Sequence, residues 1–528
     1  MSELLLQWEF EITPLMSALT ALAVFIIGLR VVRIILTDGI TLKDSTHSWK
    51  TTTSCTGAFC CNACMKLILS GEGKYCDRCG IHADIFCIST LNRNSPCKAI
   101  SVIELPMKHH WVQGNLKPLS ICEVCEKECS TSSQLSHFKC CWCLRTVHQK
   151  CKPNVSEICD FGPYKRLIIP PTAVEFVKRK SSIRKSSFLK LKPVDWIDWT
   201  PVLILANCKS GSNEGESILS KFRGFLNPVQ VIDLGTKSPE IALELCVLLD
   251  KFQKNIQTKI LVAGGDGTVG WVLNTIAKLD LTHQPAVGII PLGTGNDLSR
   301  VLGWGKGTSS NSITSASVFS TILSAESVPF DRWKVEIKLQ KSIRSFTKEL
   351  FMYNYLSIGV DAQVTLDFHH ARESPFYIFG SRLINKLLYL GFGTQQMIEK
   401  KCQGLNERIE LYLDGKKVDL PAIESIVVLN IDSWGAGVNL WKMSQTDENE
   451  LQQSFNDGKL EVLAIYSSLH IAQLQVGLGT PYRIGQAKNV EIKLKTPCAV
   501  QVDGEPWFQH PAQFTISHFN QALMLRKA

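Results

Sequence analysis

The chain has 528 residues, 45% hydrophobic and 20% charged, which leaves room for three to four globular domains. Its formal net charge of +9 is a local excess rather than a general one. No stretch interleaves basic residues with stacking aromatics, so no nucleic-acid partner is expected. Sixteen of the 20 cysteines fall between Cys55 and Cys159, in paired C-x2-C units. That clustering argues for metal rather than disulfides, and so for a reducing compartment.

Residues 1–11 form a short acidic tail (Glu3, Glu9, Glu11), and 12–36 a hydrophobic segment. Ile12 to Leu29 carries no charge; at 1.5 Å per residue it makes roughly 27 Å of helix, enough for a bilayer core. Arg30 and Arg33 follow it, so the positive-inside bias puts the rest of the chain in the cytosol. The expectation is a membrane anchor. Pro14 and the short span leave crossing and re-entry both open, and a buried core helix is the plainer alternative.

Residues 47–97 present His47, Cys61, Cys64, Cys76, Cys79, Cys87 and Cys97. Residues 109–159 repeat the pattern with His109, Cys122, Cys125, Cys140, Cys143, His148, Cys151 and Cys159. Six Cys and two His suffice for two closed tetrahedral Cys3His sites. Each module is too small to build a core unaided, so metal supplies folding energy. In the first module Asp84 stands where the second histidine belongs; its carboxylate can ligate zinc, and His82 is the alternative.

Residues 160–195 hold Lys178, Arg179, Lys180, Arg184, Lys185, Lys190 and Lys192 against Glu175 and Asp195. This composition predicts a flexible linker. Beside anionic lipid it gains on the order of 1 kcal/mol per basic residue. A nuclear-import tag or a merely solvated linker would look the same.

Residues 196–332 contain three apolar runs that each stop at small polar residues. Pro201–Ala206 runs into Asn207, Cys208, Lys209, Ser210 and Gly211. Lys259–Ala263 runs into Gly264, Gly265, Asp266, Gly267 and Thr268, after which apolar residues resume with helical spacing. Ala286–Ile290 runs into Pro291, Leu292, Gly293, Thr294, Gly295, Asn296 and Asp297. Strands and helices in alternation predict a parallel sheet with a ligand at its carboxyl edge. Glycines bring backbone close, and helix-start N–H groups favour phosphate. Asp266 would repel phosphate unless a divalent cation lay between them. Neither the Walker A nor the Rossmann spacing is present. Thr308–Ala325 predicts a connecting helix.

From 333 to 528 the pattern predicts strands at Val335–Leu339, Tyr353–Val360, Ile409–Leu413, Ile423–Asn430, Lys459–Ile465 and Val490–Leu494. The substrate cleft is expected between this β-rich domain and the α/β domain. Near the end, Asp503 and Glu505 flank Gly504; either acid could face a substrate hydroxyl, or the turn could be a plain hairpin.

These motifs carry a resemblance. GGDGT followed by PLGTGND resembles the nucleotide site of the lipid kinase superfamily, which includes diacylglycerol, sphingosine and ceramide kinases; NAD kinases share GGDGT. The cysteine spacings resemble the phorbol-ester/diacylglycerol-type domains of protein kinase C, although the Gln-Gly pair of lipid-binding members is missing from both modules. That family interleaves its ligands: His109, Cys140, Cys143 and Cys159 on one zinc, Cys122, Cys125, His148 and Cys151 on the other. Up to four structural Zn²⁺ ions are implied. Val502-Asp503-Gly504-Glu505 resembles the lipid kinases' catalytic V-D-G-E. Asn456-Asp457-Gly458 resembles a turn that binds structural magnesium, which transfers to Asp457 alone.

The chain as a whole is similar to diacylglycerol kinases, and its small layout with an apolar amino-terminal segment resembles the epsilon type. The implied architecture is two zinc-stabilised cysteine-rich modules, an α/β nucleotide-binding domain and a β-rich second domain, behind a membrane helix. The implied reaction uses Mg²⁺-ATP to convert 1,2-diacylglycerol to phosphatidic acid, ending diacylglycerol signalling and feeding phosphatidylinositol resynthesis. An arachidonoyl preference and a location at the endoplasmic reticulum or plasma membrane come with it. Asp266 would place Mg²⁺ or the γ-phosphate. Asn207, Lys209, Ser210, Gly211, Gly264, Gly265, Gly267, Thr268 and 293–297 would hold ATP, and Asp503 or Glu505 would be the base. The alternatives are a kinase for monoacylglycerol, sphingosine or ceramide, and a non-catalytic diacylglycerol-binding scaffold.

Overall fold

The computed structural model describes residues 46–51, 59–68, 73–103, 106–129, 135–178, 187–208, 214–252, 256–308, 313–339, 347–373, 402–444 and 451–527. The expected membrane segment 12–36 lies outside them, as do Lys209, Ser210 and Gly211. Among the described residues no helix is long and apolar enough to cross a membrane.

Four parallel strands stand in the order Val231–Asp233, Val202–Ala206, Lys259–Gly264, Ala286–Pro291. Every residue of the last three is buried, as continuous apolar runs require of a sheet covered on both faces. The helix Asp266–Ile276 buries Val269, Val272, Leu273 and Ile276, an i, i+3, i+4, i+7 stripe laid on the sheet.

Two long strands run out of this domain into the next. Glu326–Leu339 pairs antiparallel with Ala512–Arg526 along their whole lengths, and Met524 pairs with Val287 at the parallel sheet's edge. The division expected between 332 and 333 therefore falls inside a strand. A register shift between Arg332 and Trp333 explains why the alternation in the sequence places the start of this strand too late, at Val335. Val328 and Phe330 are buried before it, Trp333, Val335 and Ile337 after it, so the alternation changes phase at the bulge.

The second domain holds a six-stranded sheet ordered Tyr482–Ala487, Leu460–Ile465, Ser425–Leu429, Tyr355–Gly359, Cys498–Val502, Glu505–Gln509. Its inner face packs on the ladder of Ile409–Leu413, Asn489–Leu494 and Ala512–Arg526 through Ile358, Val428, Val462, Ile492 and Phe514. The connecting helix is Ser315–Ser324.

The linker 160–195 differs from expectation at both ends. Val174–Lys178 and Ser187–Leu191 form a hairpin. Val174 and Leu191 are buried in the first domain's core, and Phe176 and Leu189 pack against it. Alternate apolar residues face the core while Lys190 and Lys192 face water, so these flanks fold as strands. Arg179, Lys180, Arg184 and Lys185 lie outside the described residues.

Both cysteine-rich modules are built onto the first domain. Trp142 and Phe161 of the second share one core with Ile204, Phe222 and Phe319. Between the modules, buried Lys98 stands 4.3 Å over the Trp142 ring and donates to the Gly224 carbonyl at 3.0 Å. That carbonyl is at the carboxyl end of the helix Glu214–Phe225, where a cation is favoured. On the same helix Arg223 pairs with buried Asp77 of the first module at 2.8 Å, and Ser220 bonds Tyr75 at 2.8 Å.

Candidate active site and metal sites

The glycine loops meet at the carboxyl ends of the parallel strands. A Cβ on Gly293 would lie 2.6 Å from the Gly265 Cα and 2.8 Å from Asn296 Oδ1. One on Gly264 would lie 2.7 Å from the Thr268 Cβ. Only glycine permits this crossing, which leaves two turns of bare backbone beside the start of the Asp266–Ile276 helix. Asn207 stands at the end of the neighbouring strand, its N–H on the Ala263 carbonyl, and Thr294 and Gly295 complete the second loop.

Asp266 accepts the backbone N–H groups of Asp297 at 3.0 Å and Leu298 at 3.2 Å, joining the two loops. Burial, then repulsion from Asp297, pushes its carboxyl up to about 7. Asp297 is itself buried, which raises its carboxyl as well. Its oxygens accept from the Ser433 hydroxyl at 2.5 Å and the Ala436 N–H at 3.3 Å. Beside them Asn296, in the left-handed region, donates to the Gly293 and Lys306 carbonyls, and its buried Oδ1 has no partner among the described residues. Two crowded carboxylates, an orphaned carbonyl oxygen and glycine backbone fit a divalent cation carrying a polyphosphate.

The second domain closes the site with its 502–505 turn, and the two acids there differ. Asp503 turns its carboxylate inward onto three backbone N–H groups, Tyr353 at 2.8 Å, Asn354 at 2.7 Å and Tyr355 at 3.1 Å. Burial still pushes it up to about 6. Glu505 is exposed, and a Cβ on Gly267 would lie 3.1 Å from its Oε1. The GGDGT loop and the Glu505 carboxylate thus face each other across the cleft.

Residues that sequence reasoning passed over also reach this site. Ser433 and Ala436 belong to a glycine-rich turn after the Ser425–Leu429 strand, the same strand-then-glycine signal read in the first domain. Arg332, buried at the bulge, donates to Asn274 Oδ1 at 3.0 Å, which also receives the Tyr353 hydroxyl at 3.0 Å. The GGDGT helix is so tied to the segment that holds Asp503. A lone Arg in a strand gave no signal of this.

Asp457 does not gather oxygen ligands. Its carboxylate accepts the Lys459 N–H at 3.0 Å, and among the described residues it joins no metal-ligating group. The neighbouring buried acid, Asp331, is filled by protein donors: the Gly458 N–H at 2.7 Å, Gln521 at 2.8 Å and His518 at 3.0 Å.

The cysteine-rich modules bring their ligands together in interleaved sets: His47, Cys76, Cys79, Cys97; His109, Cys140, Cys143, Cys159; Cys122, Cys125, His148, Cys151; and Cys61, Cys64, Cys87. Tetrahedral zinc with bonds of about 2.3 Å to sulfur and 2.0–2.1 Å to nitrogen requires edges of about 3.8 Å (S to S) and 3.5 Å (S to N). Cys76 and Cys97 are 3.6 Å apart, Cys79 and His47 Nδ1 3.4 Å, Cys143 and His109 Nδ1 3.4 Å, and Cys125 and His148 Nδ1 3.2 Å. The other ring nitrogens of His47 and His148 bond the carbonyls of Ser95 and Glu128, which turns Nδ1 to the metal. Asp84 stays out of the fourth set. Its carboxylate accepts the Phe86 N–H at 2.9 Å and caps the short helix Ile85–Cys87.

A phosphate-cradling sheet edge faced by a carboxylate from a second β-rich domain defines a two-domain phosphotransferase. Family models match accordingly: diacylglycerol kinase catalytic domain over residues 201–334, diacylglycerol kinase accessory domain over 351–506, and phorbol esters/diacylglycerol binding (C1) domain over 109–162. "Diacylglycerol kinase 1" of Arabidopsis thaliana is 31% identical over 89% of this chain and 81% of its own length. "Probable diacylglycerol kinase 3" of Caenorhabditis elegans is 33% identical over 92% of this chain and 64% of its own. A solved diacylglycerol kinase from Bacillus anthracis aligns with 62% of this chain and 96% of its own at 17% identity and a TM-score of 0.37. The chain belongs to the diacylglycerol kinase family.

Proposed function

We propose that this protein transfers the γ-phosphoryl group of ATP to the 3-hydroxyl of 1,2-diacylglycerol, giving phosphatidic acid and ADP. The observation that carries this reading is Glu505 facing the GGDGT loop from the opposite domain. Mg²⁺-ATP supplies the phosphoryl group and neutralises its charge; Asp266, Asp297 and the Asn296 Oδ1 are the groups able to hold the cation side. The backbone of Gly264, Gly265, Gly267 and 293–295 approaches the phosphates, with Thr268 adding a hydroxyl. Glu505 takes the proton from the lipid hydroxyl as that oxygen bonds the γ-phosphorus and the bond to the β-phosphate oxygen breaks. Asp503, engaged by three amides, holds the turn.

The finer reading is an epsilon-type enzyme, held on a membrane by residues 12–36 with its catalytic part in the cytosol, at the endoplasmic reticulum or plasma membrane. The apolar run and its trailing Arg30 and Arg33 support it. Anionic lipid beside Arg179, Lys180, Arg184 and Lys185 would add to the anchorage. A substrate that never leaves the bilayer makes such anchorage useful. The test offers the purified full chain labelled ATP with diacylglycerol, sphingosine, ceramide and monoacylglycerol in separate mixed micelles, and arachidonoyl against saturated diacylglycerol. Label confined to phosphatidic acid is expected, favouring the arachidonoyl species. Label on another lipid defeats the substrate assignment, and equal use of both acyl classes defeats the epsilon-type reading.

A further inference from the structure

We propose that the Cys61–Cys64–Cys87 set holds zinc through three thiolates with its fourth coordination position open to solvent, so that this ion exchanges readily while three others are locked. Among the described residues, three of the sets bring four donor atoms each within 4.8 Å of one another, and this one brings three. Among the described residues, the two that the sequence offers for the missing donor, Asp84 and His82, both stay out of the set. Asp84 caps Ile85–Cys87 with its carboxylate and donates its own N–H to Cys61 Sγ at 3.3 Å, a second-sphere contact to the thiolate. For the carboxylate to reach the metal, that cap would have to break. His82 is stacked on Phe59 with ring centroids 4.3 Å apart and on Tyr75 at 6.1 Å, and its backbone N–H is bonded to Asn62. Its Nδ1 is buried within that stack, with no hydrogen-bond partner among the described residues.

Access supports the same conclusion. In the His47, His109 and Cys122 sets every cysteine except half-buried Cys125 is buried, whereas here Cys64 is exposed and Cys87 half-buried. Closed four-ligand zinc sites are structural, and an open position admits water or a small competing ligand. The ion also pins two loops with apolar tips. Met65 and Leu67 follow Cys64, and Ile85 and Phe86 precede Cys87, with exposures of 71%, 53%, 55% and 89%. Losing this ion frees those tips, while the His47 set and the Asp77–Arg223 pair keep the rest of the module docked.

The test follows release of zinc from the purified full chain into a colorimetric chelator, with total zinc measured by atomic absorption. Four zinc per chain at saturation are expected, one leaving about tenfold faster or more than the other three. Asp84→Asn, which keeps the cap on Ile85–Cys87 and removes the carboxylate, should leave the fast phase unchanged, because that carboxylate is not a ligand. Asp84→His, which copies the donor at His148, should move the fast ion into the slow class. Should Asp84→His fail to fold, wild type against Asp84→Asn still decides. Release of all four in one phase, fewer than four at saturation, or faster release from Asp84→Asn overturns the proposal. Kinase activity is not the readout, so the result stands apart from the substrate assignment.

Discussion

Gly265 and Gly293 stand backbone to backbone: a Cβ on Gly293 would come within 2.6 Å of the Gly265 Cα. The contact joins the two loops that form the phosphate cradle, and neither partner can yield because both are main chain. Gly293→Ala should therefore part the loops at a cost of about 1–3 kcal/mol. Turnover should fall about tenfold or more, because displacing positioning groups by a fraction of an ångström is felt strongly in phosphoryl transfer. Turnover at saturating ATP together with the melting temperature checks this.

The two acids of the 502–505 turn should separate cleanly. Asp503→Asn keeps a residue that tolerates the positive φ of 50° but points an amide N–H₂ at backbone donors, so about 1–3 kcal/mol of stability should be lost. Glu505→Gln removes an exposed carboxylate with no structural partner among the described contacts, so the melting temperature should hold while turnover drops about 10²- to 10⁴-fold. Thermal melts of both variants beside their kinetics check the assignment.

Arg223→Met should loosen the first cysteine-rich module from the catalytic domain. Asp77 is fully buried and Arg223 only 16% exposed, so removing the guanidinium leaves a buried acid without its counter-charge. The loss should be about 3 kcal/mol. Arg223→Met with Asp77→Asn should recover part of it, which denaturant titration of the two variants would reveal.

Stability should also carry a pH signature from Glu461. Burial, only partly offset by bonds from Gln486 and Gln453, pushes this carboxyl up from 4.5 to about 8. The folded state then holds the proton more tightly than the unfolded chain. This contribution is full below about pH 4.5 and is lost as pH rises through about 8. Glu461→Gln should flatten that slope and be the more stable protein at pH 8, as melts between pH 5 and 8 would measure.

Much of the site was legible because its chemistry is local in sequence. Each phosphate-binding loop directly follows its own strand, so GGDGT and GTGND could be read without knowing the fold. The zinc ligands were legible by spacing, but the absence of Asp84 from its set was not, since a cap onto Phe86 is decided by backbone geometry. Long-range partners stayed hidden. Ser433 meets Asp297, and Arg332 meets Asn274, only through tertiary folding. The bulge at Arg332 and Trp333 obscured the strands shared by the two domains by changing the phase of the apolar alternation. The same folding separated Asp503 from Glu505, which sequence left equivalent.

The most direct test of the account compares wild-type protein with Asp266→Ala for transfer of labelled phosphate from ATP to diacylglycerol in mixed micelles. The prediction is labelled phosphatidic acid from wild type and none from Asp266→Ala, with both proteins folded. Undiminished transfer by Asp266→Ala, or label from wild type on a lipid other than diacylglycerol, would contradict it.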